Sequence, residues 1–330
     1  MRAAMARRSS ATGGDVIGSG ITGTTDDLDD LDTPSTDGIE TGSLAIKESE
    51  RIKEKELWQR PTTQRMLPND GSTILRFEIP YARIMPPKTE NPNIKRFVVY
   101  DLSVRQDSSV IDPNPATIER RYTDFLKLYT NLKKAHPTAF NSIYFPKKVL
   151  MGNFSPDLIA ERSAAFEVFL DHIVSKAVLR ESPHFLHFLQ DIELRKACQL
   201  LDERRNESAI PLLENCFRLL NKIFMDRSKP VLLILCRLVA ACTTSPVPHP
   251  SADRWAELAL RRYETLCDTD LLPLYIPLLQ TCSHLWWQRG RDQKLITDRL
   301  TDMSKKGINI NNSPPLMKAI HLLDPQTETI

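Results

Sequence analysis

Apolar positions along this chain change their period twice. Between Thr73 and Ile84 they alternate, with Ile74, Arg76 and Glu78 set against Leu75, Phe77 and Ile79. From Ile94 to Val104 a second run carries Phe97, Val98, Val99 and Tyr100. A period of two sends successive side chains to opposite faces, so both runs predict strands, and the Pro86-Pro87 and Asn91-Pro92 turn signals between them predict an antiparallel pair. Ala116 to Tyr122 predicts a third strand. From Thr123 the period becomes 3.6: Phe125, Leu128, Tyr129 and Leu132 share one face, while Lys127, Lys133 and Lys134 point to water. A second helix announces its start with Ser155 as N-cap, Pro156 at the first helical position, Asp157 in the first turn and Phe154 placed to staple onto Ile159. Its apolar stripe is Ile159, Phe166, Phe169/Leu170 and Ile173. Together these elements predict an α+β unit, a three-stranded antiparallel sheet packed on helices.

Beyond residue 192 the second change occurs, to continuous helical periodicity. The region around Leu201 and the segments Ala209 to Phe224, Val231 to Ala241, Ala252 to Cys267, Leu271 to Trp287 and Gln293 to Lys305 read as successive amphipathic helices joined by short Pro, Ser or Gly turns. Paired helices of this length suggest a TPR-like array. Trp255-Ala256-Glu257-Leu258-Ala259 partly fits the opening of such a repeat, but Tyr263 falls one place late and no 34-residue recurrence follows. At the other end, residues 1–50 are rich in Gly, Ser, Thr and Asp and read as a disordered acidic tail. Within it, Asp26-Asp27-Leu28-Asp29-Asp30-Leu31-Asp32 reads either as a solvated run or as a short linear partner motif. Residues 51–71 read as a linker, and residues 45–59 as a charged, weakly helical stretch ending in Trp58.

Composition narrows the function class only a little: 330 residues, 41% hydrophobic, with a formal net charge of +2, suit a soluble two-domain protein. The longest apolar run, Val231-Leu232-Leu233-Ile234-Leu235-Cys236, stops at Arg237 and falls short of the roughly 20 residues a spanning helix needs. Any membrane contact is therefore expected to be peripheral. Met1-Arg2-Ala3-Ala4-Met5-Ala6-Arg7-Arg8 lacks a following apolar core and makes a poor secretory signal, and Asp15 with the acidic run argues against a mitochondrial one. The six cysteines, Cys198, Cys216, Cys236, Cys242, Cys267 and Cys282, show no metal-ligand spacing and fall within helical apolar patterns, which predicts reduced core packing and suits the cytosol. His184 and His187 lack a third ligand nearby, so no metal or other cofactor is expected. Lys and Arg interleave with acids and form no continuous stripe for nucleic acid.

The chemistry concentrates at Glu119-Arg120-Arg121-Tyr122-Thr123-Asp124-Phe125, where a strand runs into a helix. Arg121 offers a planar charged fork for phosphate oxygens, Tyr122 an aromatic face for a sugar-like ring, and Thr123 a hydroxyl with the free N–H groups of a helix start. Lys148, after Phe145-Pro146-Lys147, and Arg162 near the start of the second helix add two cations. Arg121 alone could equally pair with Glu119 or Asp124, and Tyr122 alone could be core. Val149, Leu150 and Met151 beside Lys148 form either a core edge or an apolar loop that dips into lipid.

In residue types and order, residues 72–191 resemble a PX domain, the phosphoinositide-binding module of sorting nexins. The resemblance implies that Arg121 binds the 3-phosphate of phosphatidylinositol 3-phosphate, that Tyr122 packs on the inositol ring, and that Thr123 lies at the phosphate. It further implies that Lys148 takes the 1-phosphate and Arg162 the ring hydroxyls. The loop has only Pro137 and Pro146 where many PX domains carry Pro-x-x-Pro, so Lys147 is an alternative to Lys148. A PX unit followed by residues 192–330 resembles the PXB sorting nexins of the twenty/twenty-one subfamily, which implies a TPR-like protein-binding domain. The expected whole is a cytoplasmic, non-enzymatic adaptor, peripheral on early endosomes, that joins phosphatidylinositol 3-phosphate to a protein cargo. The alternative is a soluble scaffold with vestigial lipid binding, or one preferring a multiply phosphorylated headgroup. Phosphoester catalysis lacks a Cys or His nucleophile or a carboxylate metal cluster in this segment.

Overall fold

The computed structural model describes residues 57–61, 67–68, 70–85, 96–264 and 269–324. The acidic tail, the Pro86-Pro87 and Asn91-Pro92 turns and Cys267 lie outside the described residues.

Four strands form an antiparallel meander in the order β1 (Leu57–Gln59), β2 (Ile74–Met85), β3 (Phe97–Asp107) and β4 (Ala116–Arg121). The extra strand corrects the three-stranded expectation. Leu57–Gln59, the described end of that stretch, is a strand: the three residues pair with Tyr81, Ala82 and Arg83 of β2, a tertiary contact too short to leave a period in the sequence. In β2 the register shifts between Glu78 and Tyr81, around Pro80. Such a bulge tolerates a residue without an N–H and frees one neighbour from the ladder. The Ile79 N–H donates instead to Glu167 Oε1 at 2.6 Å, and Arg60 Nη1 meets the same carboxylate oxygen at 2.7 Å. Burial pushes the Glu167 carboxyl above its ordinary range against these two donors.

Two helices cover the sheet, α1 (Tyr122–Ala135) and α2 (Pro156–Ser175). Phe125 of α1 stacks on Phe166 of α2 with centroids 3.8 Å apart, and Tyr100 of β3 meets both rings edge-on. The 3.6-residue stripes place Phe125, Leu128 and Leu132 on one helix and Ile159, Phe166, Phe169, Leu170 and Ile173 on the other in the buried core, with Tyr129 packed against it. Ser155 stands at the N-cap of α2, where its carbonyl receives the Ile159 N–H at 3.0 Å.

A short α3 (Ala177–Arg180) leads into α4 (Pro183–Asp202), which runs unbroken through residue 192. The helical region follows as α5 (Asn206–Ile223), α6 (Lys229–Thr243), α7 (Ala252–Tyr263), α8 (Tyr275–Gln288), α9 (Lys294–Lys305) and α10 (Leu316–Leu323). Successive helices pack neighbour on neighbour, and α10, absent from the periodicity reading, returns to α6 and α8. Residues Val231 to Cys242 of α6 are all buried. Arg237 within that stretch pairs with Asp324 at 2.9 Å, latching the end of α10. Cys198, Cys216, Cys236, Cys242 and Cys282 are free and buried, and burial pushes the Cys216 and Cys236 thiols up to about 12 and Cys242 to about 11.

The sheet and the helical region are tied directly. Asn215 of α5 exchanges two hydrogen bonds with the Thr117 backbone, donating to its carbonyl at 2.6 Å and accepting from its N–H at 3.2 Å. Lys222 of α5 pairs with Asp112 at 2.6 Å, their side chains 12% and 8% exposed.

Candidate anion-binding cleft

β4 ends on Arg121 and α1 begins on Tyr122 with no loop between them. Arg121 keeps extended backbone angles, φ −90° and ψ 162°, and its N–H donates to the Asp124 carboxylate at 2.7 Å. That bond fixes the sharp strand-to-helix corner and occupies Asp124. Glu119, the other candidate counter-ion, accepts from Arg83 at 2.6 Å. The exposed Arg121 guanidinium lies instead over the Phe97 ring, 3.9 Å from its centroid, with no carboxylate among the described residues at ion-pair distance. Stacking orients the fork without neutralising it.

Arg162 projects from the second turn of α2 to the same place. It is 3% exposed, its guanidinium lies 4.1 Å from the Tyr122 ring centroid, and its Nε and Nη2 atoms have no hydrogen-bond partner among the described residues. A buried cation without a carboxylate is costly and ordinarily avoided. Its charge is felt next door: burial pushes the Tyr100 hydroxyl up, and Arg162 opposes the rise.

Arg121, Tyr122, Thr123 and Arg162 line one open cleft together with Arg96, Phe97, Val98, Asn153 and Phe154. Tyr122 is mostly core: it is 8% exposed, its hydroxyl donates to the Pro146 carbonyl at 2.9 Å, and Arg162 covers one ring face. Lys148 and Lys147 are exposed on the preceding loop and are not among the lining residues. Leu150 and Met151, 78% and 72% exposed, stand on that loop, with Val149 half-buried and Gly152 turning the chain at φ 79°. Asn153 and Phe154, on the cleft wall, follow directly, so the apolar loop sits at the cleft rim.

Sequence reasoning missed Arg96 and Asn153, and read Phe97 only as a strand residue. Arg96 is exposed at the foot of β3, its guanidinium 5.0 Å from the Phe154 centroid. The signal available was a basic residue just before a predicted strand; that it flanks Arg121 follows from the pairing of Val99 with Arg121. Three arginines, an exposed helix start and an amide converge there, a donor set suited to phosphate oxygens and not to a metal cation.

The PX domain family matches residues 108–191. Sorting nexin-21 of Homo sapiens is 31% identical over 248 residues, 74% of this chain and 63% of that protein. Sorting nexin-20 of Bos taurus is 32% identical over 233 residues, 69% of each chain. The vacuolar protein sorting-associated protein vps5 of Schizosaccharomyces pombe is 33% identical over 111 residues, 33% of this chain and 19% of that one. The match thus spans a little under two thirds of the length of the human relative.

Proposed function

The chain belongs to the PX-containing sorting nexins of the sorting nexin-20/21 kind, and from that premise we propose that it is a non-enzymatic adaptor that holds phosphatidylinositol 3-phosphate in the arginine-lined cleft and engages a protein cargo through its helical region. The observation that carries this reading is Arg162, a buried cation on the wall of a cleft that Arg121 also lines, whose Nε and Nη2 lack hydrogen-bond partners among the described residues. A phosphate bound there supplies the missing acceptors. Arg121 takes the 3-phosphate as a bidentate fork, Thr123 and the N–H groups at the start of α1 add donors, and Arg162 bonds the ring hydroxyls from the cleft wall. Tyr122, on the cleft lining, packs beside the inositol ring.

Lys148, or Lys147, reaches the 1-phosphate from the loop once the headgroup is seated, and Leu150 and Met151, with Val149, enter the lipid beside it. Residues 72–191 form the lipid-reading unit and 192–330 a TPR-like cargo-binding unit. The Asn215–Thr117 and Lys222–Asp112 ties attach to the strand end and loop remote from Arg121, an arrangement that supports a cleft turned to the membrane with the helices on the cytoplasmic side. Early endosomes are the expected membrane, since the 3-phosphate lipid directs the chain. Arg96 favours a second reading, a headgroup with more than one phosphomonoester, because a third arginine stands on the same cleft.

Co-sedimentation of the full chain with vesicles, each carrying one phosphoinositide at physiological salt, separates these readings. Binding to the 3-phosphate lipid that is lost in a folded Arg121→Ala variant supports the first. Preference for a doubly phosphorylated lipid, lost in Arg96→Ala, supports the second. Headgroup-independent binding, or none, removes both.

A further inference from the structure

The cleft has a competing anion within the same chain. We propose that, when no headgroup is bound, the acidic run Asp26–Asp32 occupies the arginine-lined cleft; this rests on the cleft being the anion site described above. Charge complementarity is the first support. Five aspartates in seven residues, Asp26, Asp27, Asp29, Asp30 and Asp32, face a cleft lined by Arg96, Arg121 and Arg162. Carboxylates accept from the guanidinium fork in the geometry phosphate uses. Among the described residues, the nearby carboxylates are engaged elsewhere: Glu119 and Asp101 by Arg83, and Asp124 by the Arg121 backbone.

Location is the second support. Leu57 pairs with Arg83, Arg83 with Val99 and Val99 with Arg121, so Leu57 and Arg121 lie in one row across the sheet. Three interstrand steps separate them by about 14 Å. The 24 residues between Asp32 and Leu57 reach up to about 80 Å when extended. The acidic run is therefore tethered next to the cleft at an effective concentration on the order of millimolar. Leu28 and Leu31, interleaved with the aspartates, add apolar groups for Leu150 and Met151 at the rim.

A headgroup must then displace the run, which lowers its apparent affinity by the occupied fraction. The test compares the full chain with a D26N/D27N/D29N/D30N/D32N variant. Soluble inositol 1,3-bisphosphate is titrated by calorimetry, which removes repulsion between the aspartates and an anionic bilayer. The Arg121 Nε–Hε resonance, assigned by its loss in Arg121→Ala, is followed without ligand. The expected result is roughly three- to tenfold tighter headgroup binding in the variant, a difference that shrinks at about 0.5 M salt, and a shifted Arg121 resonance. Equal affinity with an unmoved resonance overturns the proposal. A shifted resonance with no headgroup binding by either protein keeps the acidic contact and removes the lipid reading. A shift that grows with protein concentration moves the run to a neighbouring copy and overturns the intramolecular form.

Discussion

Arg120 and Arg162 are both buried arginines, 1% and 3% exposed, and they are treated in opposite ways. Arg120 is fully engaged: both Nη atoms meet the Glu193 carboxylate at 2.6 and 2.8 Å, Nε donates to the Phe188 carbonyl at 2.7 Å, and further bonds reach Leu189 and Glu119 carbonyls. Arg162 stacks on Tyr122 and leaves Nε and Nη2 without hydrogen-bond partners among the described residues. One guanidinium clamps β4 to α4; the other waits at a cleft wall. Adjacent positions in sequence divide the same way, since Arg121, beside Arg120, turns outward on the alternation of β4 and carries no ion pair among the described residues. Partnering, more than burial, separates these two cations.

The largest effect is expected at Arg120. Arg120→Ala leaves Glu193 without its cation and should destabilise the fold by about 3–5 kcal/mol, measured as a drop in denaturant midpoint. Arg162→Ala should cost far less stability, and a comparable loss at both positions would end the contrast. Next is binding: Arg121→Ala is expected to weaken headgroup affinity by about 1.5–3 kcal/mol with the melting temperature unchanged. Retained affinity in that variant would place the site elsewhere.

A smaller, pH-dependent effect is expected at the junction of sheet and helices. Burial alone would raise the Asp112 carboxyl, but Lys222 and the Gln106 and Asn114 N–H groups outweigh it and hold the carboxyl below its ordinary 3.8. A depressed folded value means that its stabilisation is present above about 3.8 and is lost as pH falls through the lower folded value. Asp112→Asn is therefore expected to cost about 1–3 kcal/mol near neutrality, with the gap to wild type closing in acid below that point. A gap that stays constant down to pH 2 would show that the pair does not titrate with folding. The smallest effect is expected at the rim: replacing Leu150 and Met151 by Ser should weaken vesicle binding by about 1–2 kcal/mol, because the apolar contact with lipid is lost. Titration with soluble headgroup should not change.

Much of this was legible before the fold was known, and the contrasts show why. The Phe125 and Phe166 stripes, the Ser155-Pro156 start and the strand-to-helix corner at Arg121 rest on local periodicity and capping, which operate over a few residues. β1 was not legible, because three residues at Leu57–Gln59 become a strand only by pairing with Tyr81 to Arg83. α10 escaped for a related reason: eight residues, Leu316–Leu323, gain their place by returning to α6 and α8. Lys148 was expected at the cleft from its neighbours in sequence, yet the loop holds it outside the lining, while Arg96 arrives from β3 unannounced.

By itself, the sequence determined the two periodic regions, the anion-binding residue types at the corner, and the family to which they point, since each depends on spacing along one chain. Only the tertiary structure decided which charges are neutralised. Arg83 takes Asp101 and Glu119, Glu193 takes Arg120, Asp324 takes Arg237, and Arg121 and Arg162 are left facing an open cleft. Ion pairing depends on distances between segments far apart in the chain, and no local pattern encodes them.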